Sequence, residues 1–122
     1  MAMTTVNLED ACRALTDFWS PRVVARVADQ YVKVAKLQGD IVWHAHEAED
    51  ELFLVLKGRM QIRLEDGEVD LAPGDLYVVP AGVRHQPFAP EECWIALIEP
   101  ISTKHTGDTI TDRTRSIEEQ LG

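Results

Sequence analysis

Three of the four histidines in this chain, and one glutamate, are spaced as metal ligands would be. His44 and His46 are two apart in a stretch that reads as a strand, Ile41 to His46. Side chains alternate along a strand, so both imidazoles face the same way. Glu51 follows after a four-residue turn, at the start of the next apolar run, where a hairpin returns its carboxylate beside the two rings. His85 comes after the turn Pro80-Ala81-Gly82, where a later strand can pass alongside. Three neutral imidazoles and a carboxylate suit a divalent first-row metal: Zn, Fe, Mn or Ni. Four protein ligands leave positions open on a five- or six-coordinate ion, for water or a small-molecule ligand. An HxH pair by itself can be two loop histidines; the spacing to Glu51 and the glycine punctuation favour the metal.

Positioning such a set requires short strands, and the chain is full of them. Arg22 to Val27, Tyr31 to Leu37, Ile41 to His46, Leu52 to Lys57, Met60 to Leu64, Glu68 to Leu71, Leu76 to Val79 and Glu92 to Glu99 are rich in Val, Ile, Leu and aromatics. Turn signals separate them, among them Gln38-Gly39-Asp40, Lys57-Gly58, Asp66-Gly67 and Ala72-Pro73-Gly74-Asp75. Many evenly spaced short strands with little helix indicate an all-β sandwich or barrel. Before them, Asn7 is a good N-cap, and Leu8, Ala11, Cys12 and Leu15 share a face. A helix is expected over about residues 7–19, ended by Ser20-Pro21, because the residue before proline avoids the helical region. The barrel then covers about 22–100, and 101–122 is a polar tail with a short helix over Ser116 to Leu121. One domain over 1–122 is expected.

Strand parity assigns further residues. Glu51, Phe53 and Val55 share a face, so Phe53 is a candidate pocket wall. Leu52, Leu54 and Leu56 face the other way and need cover from a sheet, the helix or a second subunit. Gln61 alternates with Met60 and Ile62; it is a pocket group only if the wet face of its strand points inward. Cys93 and Trp94 lie on opposite faces of a late strand, and one of them lines the cavity, with Trp94 a candidate. Lys33, Lys36 and Arg84 read as exposed-face residues, Arg84 being the best placed to meet an anionic substrate. His105 reads as a solvated histidine of the tail, with a lid or ligand role the lesser alternative, and Trp43 as packing beneath the sheet.

The chain has 122 residues, of which 45% are apolar, enough for one real core. With 12 basic and 21 acidic residues its formal charge is −9, which repels phosphate backbones, so nucleic acid is not an expected partner. No stretch approaches the roughly 18 apolar residues of a membrane span, and Met1 to Glu9 lack the regions of a secretory signal. A cytoplasmic protein is expected, with Cys12 and Cys93 as buried reduced thiols.

The segment from Gly39 through His44, His46 and Glu51 to Gly58 resembles the first cupin motif, with a leading gap one residue shorter than the common form. Gly74 through Pro80-Ala81-Gly82 to His85 resembles the second, although Ala89 stands where an asparagine is usual. Trp19-Ser20-Pro21, Val32 to Lys36, Asp50 to Phe53, Ile98-Glu99-Pro100 and Thr106-Gly107-Asp108 extend the likeness to small RmlC-like cupins labelled mannose-6-phosphate-isomerase-like. The resemblance implies a double-stranded β-helix, or jelly-roll barrel, with the metal in its mouth, and a homodimer. It does not imply an activity. Two classes stay open. One is a metal enzyme, isomerase-like or dioxygenase-like; the other is a non-catalytic module that binds or senses a metal and a small molecule. An isomerase needs a general base besides the ligands. No spare histidine or plainly buried carboxylate is evident, and Glu49 and Asp50 lie too near the turn to assign.

Overall fold

The computed structural model describes residues 4–122. Helix α1 (Leu8–Arg13) precedes seven strands: β1 (Arg22–Val27), β2 (Gln30–Asp40), β3 (Glu51–Lys57), β4 (Met60–Leu64), β5 (Gly67–Leu71), β6 (Leu76–Val79) and β7 (His85–Pro100). Helix α2 (Ile117–Leu121) ends the chain. All strand pairings are antiparallel. The architecture is the all-β, double-stranded β-helix expected of the sequence, with a short helix in front.

The spine of the barrel is β7. It lies in the order β1-β2-β7-β3-β6 and also pairs with β4, which pairs in turn with β5. Its C-terminal part runs between β2 and β3, while His85 to Phe88 pair with β4. The sequence reading began this strand at Glu92. Instead the strand starts at His85, and its prolines are absorbed by an irregularity. Pairing with β2 skips from Ala89 to Cys93, leaving Pro90, Glu91 and Glu92 exposed. At that bend the β3–β4 turn presses on β7. Gly58 has φ of 82°, and a Cβ there would stand 2.6 Å from the Glu92 carbonyl oxygen, so only glycine fits.

Two other expectations are corrected. Ile41 to His46 is not a strand: β2 ends at Asp40 and the chain crosses the barrel mouth with one isolated bridge, His44 to His85. Its extended alternation survives, with His44 and His46 buried and Trp43 and Ala45 less so. The first helix ends at Arg13, well short of residue 19. Beyond it Lys36 Nζ takes the Leu15 carbonyl at 2.8 Å, and Trp19 is drawn onto β2, its backbone N–H donating to Lys36 O and its indole N–H to Gln38 O, each at 2.9 Å. Those bonds to a strand edge compete with further helical turns.

The core has two parts. Inside the barrel lie Leu37, Phe53, Val55, Met60, Ile62, Cys93, Ile95 and Leu97, among others. Outside, α1 covers β2 and β7 through Cys12, Leu15, Val34 and Trp94, with Leu56 packed against them. Both cysteines are free and buried, and burial pushes their thiols up, to about 11 for Cys12 and about 12 for Cys93. Among the described residues no helix is long and apolar enough to cross a membrane.

Lys33 is not an exposed-face residue. It is 1% exposed, and its ammonium donates to Glu99 Oε2 at 3.2 Å and to Gln120 Oε1 of α2 at 2.5 Å. The polar tail is thereby locked onto the barrel. Removing one partner of a buried ion pair strands the other. Lys33→Met is therefore expected to destabilise the fold by about 3 kcal/mol in denaturant unfolding; unchanged stability would show that the network contributes nothing.

Candidate metal centre

Each site residue is held by backbone bonds close to its own position. His44 and His85 form the isolated bridge, with N–H to O distances of 3.1 and 2.9 Å in the two directions. The His46 carbonyl accepts from Gly82 N–H at 2.8 Å, in the turn that precedes His85. Glu51 opens β3 opposite Val79 of β6, and Asp50 beside it accepts from Ala81 N–H at 2.8 Å. The glutamate and the Pro80-Ala81-Gly82 turn are thus pinned together. Gly107 comes up behind this loop: with φ of 59° it sits so close to Ala45 that a Cβ would collide with the Ala45 carbonyl.

His44, His46, Glu51 and His85 come together, all buried, with one ligand-type atom of each within 4.8 Å of the others. Ring centroids are 4.4 Å apart for His44 and His85, 5.0 Å for His44 and His46, and 5.6 Å for His46 and His85. The Nδ1–H groups of His44 and His85 donate to carbonyls two residues earlier, Val42 O at 2.8 Å and Val83 O at 3.0 Å. A carbonyl can only accept, so in the neutral rings the lone pair is on Nε2 and turned inward.

The arrangement fits a cation. His85 Nε2 and His46 Nε2 stand 3.2 and 3.3 Å from the same Glu51 oxygen. An imidazole lone pair facing a carboxylate needs a proton or a metal between them. Neither ring nitrogen of the buried His46 has a hydrogen-bond partner among the described residues, an uncommon state for a buried polar atom. Burial lowers His44 to about 4, keeping it neutral as a ligand must be. Burial raises the Glu51 carboxyl, but the imidazoles of His46 and His85 more than offset this, and it lies well below the usual carboxylate range.

Beside the four residues is a narrow cavity of about 30 Å³. His44 and Glu51 form one side; Trp19, Leu37, Ile41, Phe53, Ile95 and Leu97 supply apolar walls. Phe53 is a wall, as strand parity implied, its ring 6.2 Å from that of His85. Gln61 is not: Met60 and Ile62 take the inner face of β4, and Gln61 is half-buried on the outer one. Nor is Trp94, which packs outside with α1 under Lys57 at 4.6 Å and Lys36 at 5.3 Å. Cys93 faces inward, in the core away from the cavity lining. Arg84 lies over Trp43 at 5.9 Å and is not among the lining residues.

Two residues near the site escaped the sequence reading. Glu99 is buried behind Glu51; burial, and then the Glu51 charge, push it well above its usual range. Period two from Ile95 and Leu97 places it inward, and that signal was readable. His105 lines the cavity rather than standing in solvent. Nothing local in the sequence announced it.

The family model described as Cupin domain matches residues 30–95. Among solved structures, a cupin-2 domain containing protein from Shewanella frigidimarina superposes with a TM-score of 0.76 at 43% identity, covering 78% of this chain and 93% of that one. The uncharacterized protein YdbB of Bacillus subtilis is 36% identical over 64 residues, 52% of this chain and 57% of that protein. The 3-hydroxyanthranilate 3,4-dioxygenase of Ruegeria pomeroyi is 38% identical over 66 residues, 50% of this chain and 37% of the enzyme. The chain therefore spans well under two thirds of the length of these two relatives.

Two outcomes follow from the geometry. His44 and His105 both titrate near 4 when folded against an ordinary value of 6.5, mainly through burial. Between those values the unfolded chain binds protons that the folded chain refuses, so stability falls as pH drops through that window. Thermal unfolding of EDTA-treated protein at intervals from pH 7 to 4 should show a falling Tm; a flat profile would contradict the burial of these rings. Gly107→Ala should cost at least about 1 kcal/mol, because the His44–His46 loop must retreat from the new methyl. An unshifted denaturation midpoint would mean the loop yields freely.

Proposed function

The chain belongs to the cupin domain family, and on that basis we propose that it holds one divalent metal on His44, His46, Glu51 and His85 and binds and transforms a small, largely apolar molecule there. The observation that carries this reading is the convergence of three imidazoles and one carboxylate, lone pairs inward, beside an apolar cavity. A metal bound there supplies Lewis acidity and open coordination positions, and as iron it also supports dioxygen chemistry.

The protein's part is orientation and exclusion of water. The carbonyls of Val42 and Val83 fix the tautomers of His44 and His85. Glu51 contributes one negative charge, leaving a net positive centre that attracts an ionised oxygen of a ligand. Apolar walls keep the site dry, which strengthens that attraction. No Lys or Arg lines the cavity. A sugar phosphate would lose its hydration there without a cationic partner, so a dioxygenase-like reaction on an apolar, oxygen-bearing substrate fits better than a sugar-phosphate isomerisation. Similarity to a 3-hydroxyanthranilate 3,4-dioxygenase over half the chain supports the same direction.

A homodimer and a cytoplasmic location belong to the same proposal. Leu76 and Val78 of β6 are 56% and 39% exposed, next to half-buried Leu54 and Leu52 of β3, an apolar outer face suited to a second subunit. Two free thiols suit a reducing compartment.

Elemental analysis of protein purified without a metal-affinity tag should find close to one divalent ion per chain, or uptake of one on titration. His46→Ala should reduce affinity for it at least tenfold, since a ligand is lost. Absence of both occupancy and uptake, or undiminished affinity in the variant, would reject the site. A metal-loaded protein that binds its ligand tightly without turnover would favour a binding module over an enzyme.

A further inference from the structure

The cavity has one polar wall residue besides His44 and Glu51, and it is His105. The loop after β7 carries it in, with Thr106 buried beside it and bonded to Thr114 at 2.7 Å. His105 Nδ1 accepts the backbone N–H of Arg115 at 2.9 Å, just ahead of the N-cap of α2. A ring nitrogen that accepts carries no proton, so the neutral imidazole bears its hydrogen on Nε2. Among the described residues Nε2 has no hydrogen-bond partner, and it is not one of the fully buried unpaired atoms, so it keeps some exposure and is free to donate. His105 also lines a second groove, outside, between this loop and α2, so it stands where the cavity meets the exterior. It is not one of the four clustered ligand residues.

We infer that His105 is a specificity residue: its Nε2–H donates to a neutral oxygen acceptor on the ligand, at the end away from the metal. The inference rests on the metal-centre reading above. It narrows the ligand to a small, mostly apolar molecule with an oxygen for the metal at one end and a carbonyl-type acceptor at the other. Burial lowers His105 to about 4, so the ring stays neutral near pH 7 and offers a hydrogen bond rather than a charge.

Zinc-loaded protein can be titrated by calorimetry with catechol and with two ligands that add a single carbonyl, 2,3- and 3,4-dihydroxybenzaldehyde. One added hydrogen bond in a dry site should make one of the aldehydes bind about tenfold more tightly than catechol. His105→Asn keeps an oxygen where Nδ1 accepts from Arg115 but cannot reach as far as Nε2, and the affinity ratio should fall to about one. His105→Gln places an amide N–H near the Nε2 position and should restore most of the ratio. A ratio of one in the unaltered protein, or a preference that persists in His105→Asn, overturns the inference while zinc-dependent catechol binding leaves the metal reading standing. A protein that takes up no zinc overturns both.

Discussion

Two backbone hydrogen bonds between His44 and His85 are the constraint on which the rest of the site depends. They join the loop that carries His46 to the first residue of β7, the strand that pairs with three others. Through β7 the ligand positions inherit the rigidity of the whole barrel. Main-chain bonds also set the direction of the rings, because in both histidines Nδ1 is engaged by the carbonyl two residues back. The loop crossing the mouth therefore needs no strand pairing of its own. One bridge, the Gly82 bond to His46 and the Asp50 bond to Ala81 are sufficient.

A chain of buried charges extends from the site to the C-terminus. Glu51 faces the imidazoles, Glu99 lies behind it, Lys33 pairs with Glu99, and Gln120 of α2 accepts from Lys33. Each member is nearly inaccessible to water, so each is satisfied by its neighbour or costs several kcal/mol unpaired. Two carboxyls in such proximity cannot both be readily ionised. Glu51 lies low and Glu99 high, and Lys33 partly relieves the second. The last turn of the chain is thus tied to Glu51 through side chains rather than through the sheet. Gly107 does the same from the other side, by close approach to Ala45.

Much of this was legible in the sequence because it depends on period and punctuation. The fold class, the pairing of His44 with His46, the return of Glu51 across a turn and the inward face of Phe53 all follow from alternation. Where the reading failed, a non-local bond had overruled a local signal. The first helix is cut short by β2 capturing Trp19, and the prolines of β7 sit in an irregularity that keeps the strand going. Gln61 and Trp94 were assigned by parity without knowledge of which face is inside, and α1 covering Trp94 decides that. Lys33 and Glu99 were on the inward parity of their strands all along. A charge there is a statement that its partner lies across the barrel. His105 had no such signal, because a loop of sixteen mostly polar residues has no period from which to infer a direction.

The position of His105 bears on what an inherited family label can mean. The four candidate metal ligands lie within residues 30–95, the segment that the cupin family model matches. His105 lies beyond that segment and lines the cavity, its Nδ1 accepting from the Arg115 N–H. An apolar chamber without a Lys or Arg, with one neutral donor at its mouth, discriminates by the penalty it imposes on the wrong ligand. A phosphate or a polyol would surrender its hydration and find too few partners, a cost of several kcal/mol for each polar group left unpaired.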